Sequence, residues 1–415
     1  MGQPTVRLAQ LAIAQGSSVL TTRGPLEGVR VIELTHAWAG PFCGMMLGDM
    51  GAEVIKIESP RQKPEARGGY PYVGQESVIF MMLHRNKKSV TLDLKRRQGR
   101  EIFFDLVRSA DVLIQNFRPG VMDKLGLTYA TLKEINPALV YASLSGFGAT
   151  GPKAGLPGVN MIALAASGLA ASTIIEDRPP VPLGYALCDI VAAMWASHGI
   201  LSAYIRRLKT GKGQEVETSL LEAGISLMVS PVAQHDHVKG DWAERTGRTD
   251  GNAPSGFFLT ADGTYVTVFA SYPALWDRFI EAMDLKHLTD DPRFGTREQR
   301  TSNASALHKI LGEIFRSKPT QHWVDLLHDA GVPVSPVNTV GRMIEDAQVI
   351  ARKMIVEQTH STAGHLRVVG IPVKLSDTPG EVRTPAPLLG EHTDEVIGGL
   401  GYGDRLDTLR REEII

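Results

Sequence analysis

Between residues 29 and 144, short β-branched runs alternate with segments of helical length, and this alternation constrains the fold more than any other feature of the chain. Residues 29–34 read as a buried strand, 39–50 as a small-residue helix ending at Gly51, and 52–58 as the next strand. Residues 89–94, the amphipathic 99–109 and 111–115 repeat the unit, and 129–135 with 138–144 add another. A helix between successive strands carries the chain back to the same end of a sheet, so the strands pair in parallel. The expected class is α/β, with a doubly wound parallel sheet.

After residue 220 the pattern changes. Residues 256–269 read as a hairpin turning at Ala-Asp-Gly, and 273–283 and 302–316 read as helices. A smaller α+β domain is therefore expected at about 225–340. Residues 364–374 look like strand again, and the Pro-rich stretch 384–395 reads as a loop leading into a last helix.

The 415 residues suffice for two domains, and a formal charge of −1 gives no reason to expect a nucleic-acid partner. The two cysteines, Cys43 and Cys188, are far apart and lack CxxC spacing, so neither a disulfide framework nor a zinc site is expected. The twelve histidines show no ligand spacing, and no metal is expected. No unbroken apolar run reaches the ~20 residues of a membrane span. The leader at 1–24 has two arginines, no acids and a short apolar patch. It reads either as a frayed extension, with the protein cytoplasmic, or as a transit peptide that would direct it to the mitochondrial matrix. Val6 stands where myristoylation needs Ser or Thr.

The first strand-to-helix turn, Thr35-His-Ala-Trp-Ala-Gly-Pro41, is not GxGxxG. Trp38 occupies a place where a dinucleotide's pyrophosphate needs glycine, which argues against NAD or FAD even though Glu58 ends the second strand. A ligand is still expected at the carboxyl ends of the strands, near 35–41, Lys95 and 116–120. Arg85, Lys87, Lys88, Lys95, Arg96, Arg97, Arg118 and Lys124 gather near those ends. They read as a solvated face or, with Asn116 and Phe117, as a surface for a phosphate-bearing ligand. His36 lies in the first of these loops.

Asp189 stands where an apolar segment turns into a helix over 190–205. It reads as a helix N-cap, as a nucleophile held ionised by the helix N-terminus, or as both. Its neighbour Cys188 reads as a core residue. The polar stretch 247–256 reads as a connector or as a lid over a reactive intermediate.

Several ordered segments carry a resemblance. They are PLEGVRVIELT (25–35), AGP (39–41), LGDMGAEVIKIE (47–58), NKKS (86–89), NFRPG (116–120), KTGKGQ (209–214) and APLLGEHTD (386–394). In order and spacing the chain resembles the class III CoA-transferase family, also called CaiB/BaiF or formyl-CoA transferase-like, from Pro25 to the C-terminus. The resemblance implies a large Rossmann-like domain at 25–224 completed by a return of 341–415, with the small domain between. It also implies an interlocked homodimer, and coenzyme A as acyl-CoA co-substrate. The family's catalytic aspartate falls on Asp189. Its CoA contacts fall on Trp38, Ala39, Leu92, Lys95, Asn116, Phe117, Arg118 and Lys124. An arginine that often follows the second-strand glutamate is Ser59 here, which removes one phosphate donor. The Gly-rich lid of oxalate-specific members is replaced by Asn252-Ala-Pro-Ser-Gly256.

The activity implied is transfer of CoA from an acyl-CoA to a carboxylic acid through an aspartyl-CoA thioester. Succinyl-CoA is the expected donor only because it is common. The alternatives are an acyl-CoA racemase or isomerase, or a non-catalytic CoA-binding subunit. Related racemases place a histidine where this chain has Val159, and valine moves no proton. Asn160 replaces an acid common at the next position, so a different acyl pocket is expected.

Overall fold

The computed structural model describes residues 24–63, 67–174, 179–182, 184–237 and 253–415; the leader before Gly24, Leu183 and most of the 247–256 stretch lie outside them. Six strands form one sheet: β1 (Arg30–Leu34), β2 (Glu53–Glu58), β3 (Lys87–Thr91), β4 (Val112–Gln115), β5 (Val140–Ser145) and β6 (Glu215–Ser219). Every pairing is parallel, in the order β3-β2-β1-β4-β5-β6. The order reverses between β1 and β4, so the carboxyl ends of these two strands flank a crevice.

Successive apolar residues serve opposite faces. Val31, Val54, Val112, Ile114, Val140 and Ala142 pack under α1 (Ala39–Asp49), α4 (Asn160–Ala166), α5 (Leu187–Thr210) and α6 (Leu220–Ser226). Ile32, Leu34, Ile55, Ile57, Val90 and Leu113 pack under α2 (Arg97–Arg108), α3 (Tyr129–Ile135) and the C-terminal residues Ile397, Leu409, Ile414 and Ile415. Strands apolar on both sides need both covers, which is why the alternating segments read as unbroken apolar runs. The helix α1 lies close on the sheet because Gly40 and Gly44 face it. A Cβ on Gly40 would sit 2.5 Å from Thr35, and one on Gly44 would collide with the Glu33 carboxylate.

A second core belongs to residues 253–336. There β7 (Gly256–Leu259) and β8 (Tyr265–Val268) form the expected hairpin, and β9 (Val334–Pro336) adds a third antiparallel strand to β8. Phe258, Phe279, Phe294, Phe315 and Trp323 fill this core under α7 (Pro273–Ala282), α8 (Ala304–Phe315) and α9 (Thr320–Asp329). The helix expected over 302–316 breaks at Asn303, the residue between a short helix Arg297–Ser302 and α8. Two further strands, β10 (Ile355–His360) and β11 (Gly364–Val369), pair among the described residues only with each other.

Among the described residues α5, at 24 residues, passes the length and composition test for a membrane span. It packs against α1, α6, β5 and β6, so it is built into the α/β fold.

Candidate active site

The crevice between β1 and β4 is closed by a pair of hydrogen bonds. The His36 amide donates to Asn116 Oδ1 at 2.9 Å, and Asn116 Nδ2 donates to the His36 carbonyl at 2.8 Å. Asn116 thus ties the two loops that follow the two strands. Above them opens a cleft of about 750 Å³ lined by Leu34–Trp38, Ile57–Ser59, Leu92–Lys95, Phe117, Val121 and Leu125, with Arg67, Phe80 and His84 on one wall. That volume and its apolar, aromatic lining suit a nucleotide-sized ligand.

Of the eight binding residues expected, Trp38, Leu92, Lys95 and Phe117 line the cleft. Asn116 braces it, and Ala39 is buried beneath it at the start of α1. Arg118 and Lys124 are exposed, and neither forms an ion pair with any described residue. Lys124 lies on the short helix Val121–Leu125, whose first and last residues line the cleft. The His36 ring lies 5.7 Å from Phe117. Partial enclosure, then the charges of Lys56 and Arg118, pushes its pKa below the usual imidazole value.

Arg85 and Lys87 are buried and closed to a ligand, which corrects their reading as part of a phosphate surface, whereas the half-buried Lys88 and the exposed Arg96 and Arg97 pair with acids but stay open to solvent. Arg85 holds Asp49 through two bonds of 2.9 and 2.7 Å. Lys88 bridges Glu53 and Glu395 at 2.8 and 2.7 Å, and Arg97 pairs with Glu101 at 2.8 Å. Arg96 lies 4.0 Å from Asp93. Lys87 is buried with Glu33 at 2.8 Å and donates to the Pro41 carbonyl at 2.7 Å. Lys56 reaches Glu33 at 3.3 Å and the Thr35 carbonyl at 2.7 Å. Burial works to raise the Glu33 pKa, but the two ammonium groups hold it below the carboxylate norm. Burial also pulls Lys87 down to about 8, against the attraction of Glu33. This buried triad fixes the backbone from Thr35 to Pro41 from below.

Three cleft residues escaped the sequence reading. Arg67 pairs with Glu58 at 3.0 Å, stacks 3.8 Å over Phe80 and donates to the Pro387 carbonyl at 2.7 Å. It returns a guanidinium to the strand end where Ser59 lacks one. His84 lies stacked 3.8 Å from Phe80, and its Nδ1 bonds the Phe80 carbonyl at 2.9 Å. Burial, then nearby Lys87 and Lys56, keeps it neutral. Lys56 also touches the cleft. No local motif marks these residues; they meet only through the fold.

Asp189 sits on α5, whose first turn lies at the same carboxyl edge of the sheet because α5 runs back from β5 to β6. It does not line the cleft. The helices α1 and α5 share one core, in which Ala39 and Cys43 pack with Cys188, Ala192 and Ala193. The capping role expected for Asp189 is not the one observed. The helix begins at Leu187 with Ala186 as N-cap, so Asp189 is its third residue. The amide of Cys188 is instead taken by Asn160 Oδ1 at 2.9 Å, a cap supplied from α4.

Asp189 accepts no hydrogen bond from any described residue. Burial pushes its pKa up to about 6, so the helix N-terminus does not hold it low as expected. It remains mostly ionised at pH 7, and more basic than an ordinary carboxylate. Cys188 is buried with its thiol pushed up to about 11 by burial and then by Asp189, which suits a core residue. Val159 is exposed and immediately precedes α4. No group of three or more His, Cys, Asp or Glu suited to hold a metal occurs among the described residues.

The fold and the crevice define a doubly wound α/β protein with a cleft at the topological switch point. The chain belongs to CoA-transferase family III, whose model matches residues 26–393. It is 35% identical over 384 residues to human succinyl-CoA:glutarate CoA-transferase, covering 92% of this chain and 87% of that one. It is 38% identical over 380 residues to the acetyl-CoA:oxalate CoA-transferase of Acetobacter aceti, covering 89% and 94% of the two chains. A CaiB/BaiF family protein from Brucella suis superimposes with a TM-score of 0.80 at 31% identity, over 91% of this chain and 100% of that one. CoA transfer is the activity these relations support.

Proposed function

We propose that this enzyme moves CoA from an acyl-CoA donor to a carboxylic acid acceptor with Asp189 as covalent carrier. The observation that carries the reading is a half-buried carboxylate at the sheet's carboxyl edge, without a hydrogen-bond partner among the described residues, raised in basicity by burial yet still ionised at neutral pH. One Asp189 oxygen attacks the thioester carbonyl, the C–S bond breaks, and the CoA thiolate leaves with the electron pair. The thiolate then attacks the Asp189 carbonyl of the resulting anhydride, expelling the donor's carboxylate and leaving aspartyl-CoA thioester. The acceptor carboxylate reverses both steps and restores Asp189. Every acyl bond broken is replaced by another activated one, so the cycle consumes no ATP.

CoA would lie in the switch-point cleft, its adenine and pantetheine against Trp38, Leu92 and Phe117, with Lys95, Arg118 and Lys124 near its phosphates. Dicarboxylic acids are the acceptor class we favour, because the two relatives described above act on glutarate and oxalate. Racemisation is the weaker reading, since Val159 offers no proton-transfer group. We further infer a homodimer. Met194, Trp195, Ile205 and Leu208 on α5, with Ile162 on α4 and Ile225 on α6, are exposed apolar side chains on helices that pack together, and a second subunit would cover them.

The test crosses a panel of acyl-CoA donors with carboxylic acids and follows both CoA esters by mass spectrometry. Acceptor-dependent exchange, abolished by Asp189→Ala, is expected. Exchange that survives in Asp189→Ala, or deuterium entry at the α-carbon without an acceptor, refutes the reading.

A further inference from the structure

We propose that Asn160 is the positioning residue for Asp189: its carboxamide fixes the first turn of α5 without placing a charge beside the nucleophile. The inference rests on the reading of Asp189 as nucleophile and goes beyond it. A helix leaves its first amides without intrahelical partners, and a side-chain oxygen just before the helix normally takes one of them. Here the residue at that place is Ala186, which has no such oxygen. The need is met from α4, where Asn160 Oδ1 accepts from the Cys188 amide at 2.9 Å. That bond joins segments 28 residues apart at the residue immediately before Asp189. Its removal would let the first turn of α5 fray and the carboxylate wander.

The choice of amide over acid matters for charge. Of the elements packed against α5, α4 carries no titratable side chain. The others carry Cys43 and Asp49 on α1, Glu222 on α6, Tyr141 on β5, and Glu215 and Glu217 on β6. None of these is a cause of the Asp189 displacement, which comes from burial alone. An aspartate at 160 would accept the same Cys188 N–H bond and so preserve the cap. It would also bring a second carboxylate within one residue of the nucleophile's helical position, and a like charge there opposes ionisation of Asp189. Asn160 therefore separates two properties, geometry and charge, that one substitution series can read independently.

The experiment measures the rate at which an acyl-CoA labels Asp189, by peptide mass, across pH 5–9 in wild type, Asn160→Ala and Asn160→Asp. Thermal melting and calorimetric titration with free CoA accompany it. Asn160→Ala should slow labelling by about tenfold to a hundredfold, since small misplacements of a reacting group cost that much, while CoA affinity changes less than about twofold because Asn160 does not line the cleft. Asn160→Asp should melt as wild type does and label Asp189, with the midpoint of labelling moved up by about one pH unit. Wild-type labelling rates in Asn160→Ala, or an unmoved midpoint in Asn160→Asp, overturn the proposal. If Asn160→Ala fails to fold, the midpoint in Asn160→Asp decides. Failure of the underlying reading looks different: wild type itself would carry no label on Asp189.

Discussion

Replacing Asp189 by asparagine removes an ionisation that the folded chain opposes, and the size of the effect follows from the displacement. Burial raises the carboxyl from its ordinary 3.8 to about 6. A carboxyl raised on folding binds its proton more tightly in the native state than in the unfolded one. Its neutral form favours folding at low pH, and that advantage is lost as pH rises through about 4 to 6. Each unit of displacement corresponds to about 1.4 kcal/mol, so the ionised group costs about 3 kcal/mol at pH 8 and about half that at pH 5. The isosteric amide escapes this cost. For a chain of 415 residues the gain at pH 8 corresponds to a rise in Tm of about 3 °C, shrinking toward pH 5. Differential scanning calorimetry of wild type and Asp189→Asn at both pH values measures it. Equal melting temperatures at pH 8, or the same difference at both pH values, would refute the claim that Asp189 is held in a desolvated place. A gain in stability with loss of activity is the signature of a strained functional group.

The same displacement sets an acid limb: kcat/KM for CoA transfer should fall tenfold per unit below about pH 6, as Asp189 takes up a proton, in a pH-rate profile at saturating acceptor. Glu33→Gln leaves the Lys56 and Lys87 ammonium groups buried against a neutral amide and should cost about 3–5 kcal/mol in urea unfolding, the usual penalty for a broken buried pair. Asn116→Ala removes both bonds that tie the His36 loop to β4 and should cost about 1–2 kcal/mol of stability with a raised KM for acyl-CoA, read by unfolding and steady-state kinetics. Arg118→Ala should raise that KM about fivefold to twentyfold at low salt and less at high salt, because an exposed cation acts on phosphate through a screened field.

The parallel sheet was legible because Val31 and Ile32, or Val54 and Ile55, serve opposite faces and so leave an uninterrupted apolar run. The edge strand Glu215–Ser219 was not: it is only partly covered, and its polar alternation carries no such run. The cleft's position followed from topology, and Trp38, Lys95 and Phe117 were readable from the loops at strand ends, whereas Leu92 came only from the family resemblance. Lys87 was misread because a strand lysine reaching across β2 to a buried glutamate beneath α1 looks, in one dimension, like one facing solvent. The cap of α5 was assigned to Asp189 because sequence favours the local candidate; Asn160 is 28 residues away and only the fold brings it there. Arg67 and His84 have no motif, and they reach the cleft through the chain's return over Phe80.

The most direct measurement incubates the enzyme with an acyl-CoA in the absence of acceptor, quenches and digests it, and weighs the peptide that contains Asp189. The account predicts a near-stoichiometric CoA adduct on Asp189 that disappears when a carboxylic acid acceptor is added. An unmodified Asp189 peptide from an enzyme that is turning over, or an adduct on Cys43 or Cys188 instead, would contradict it.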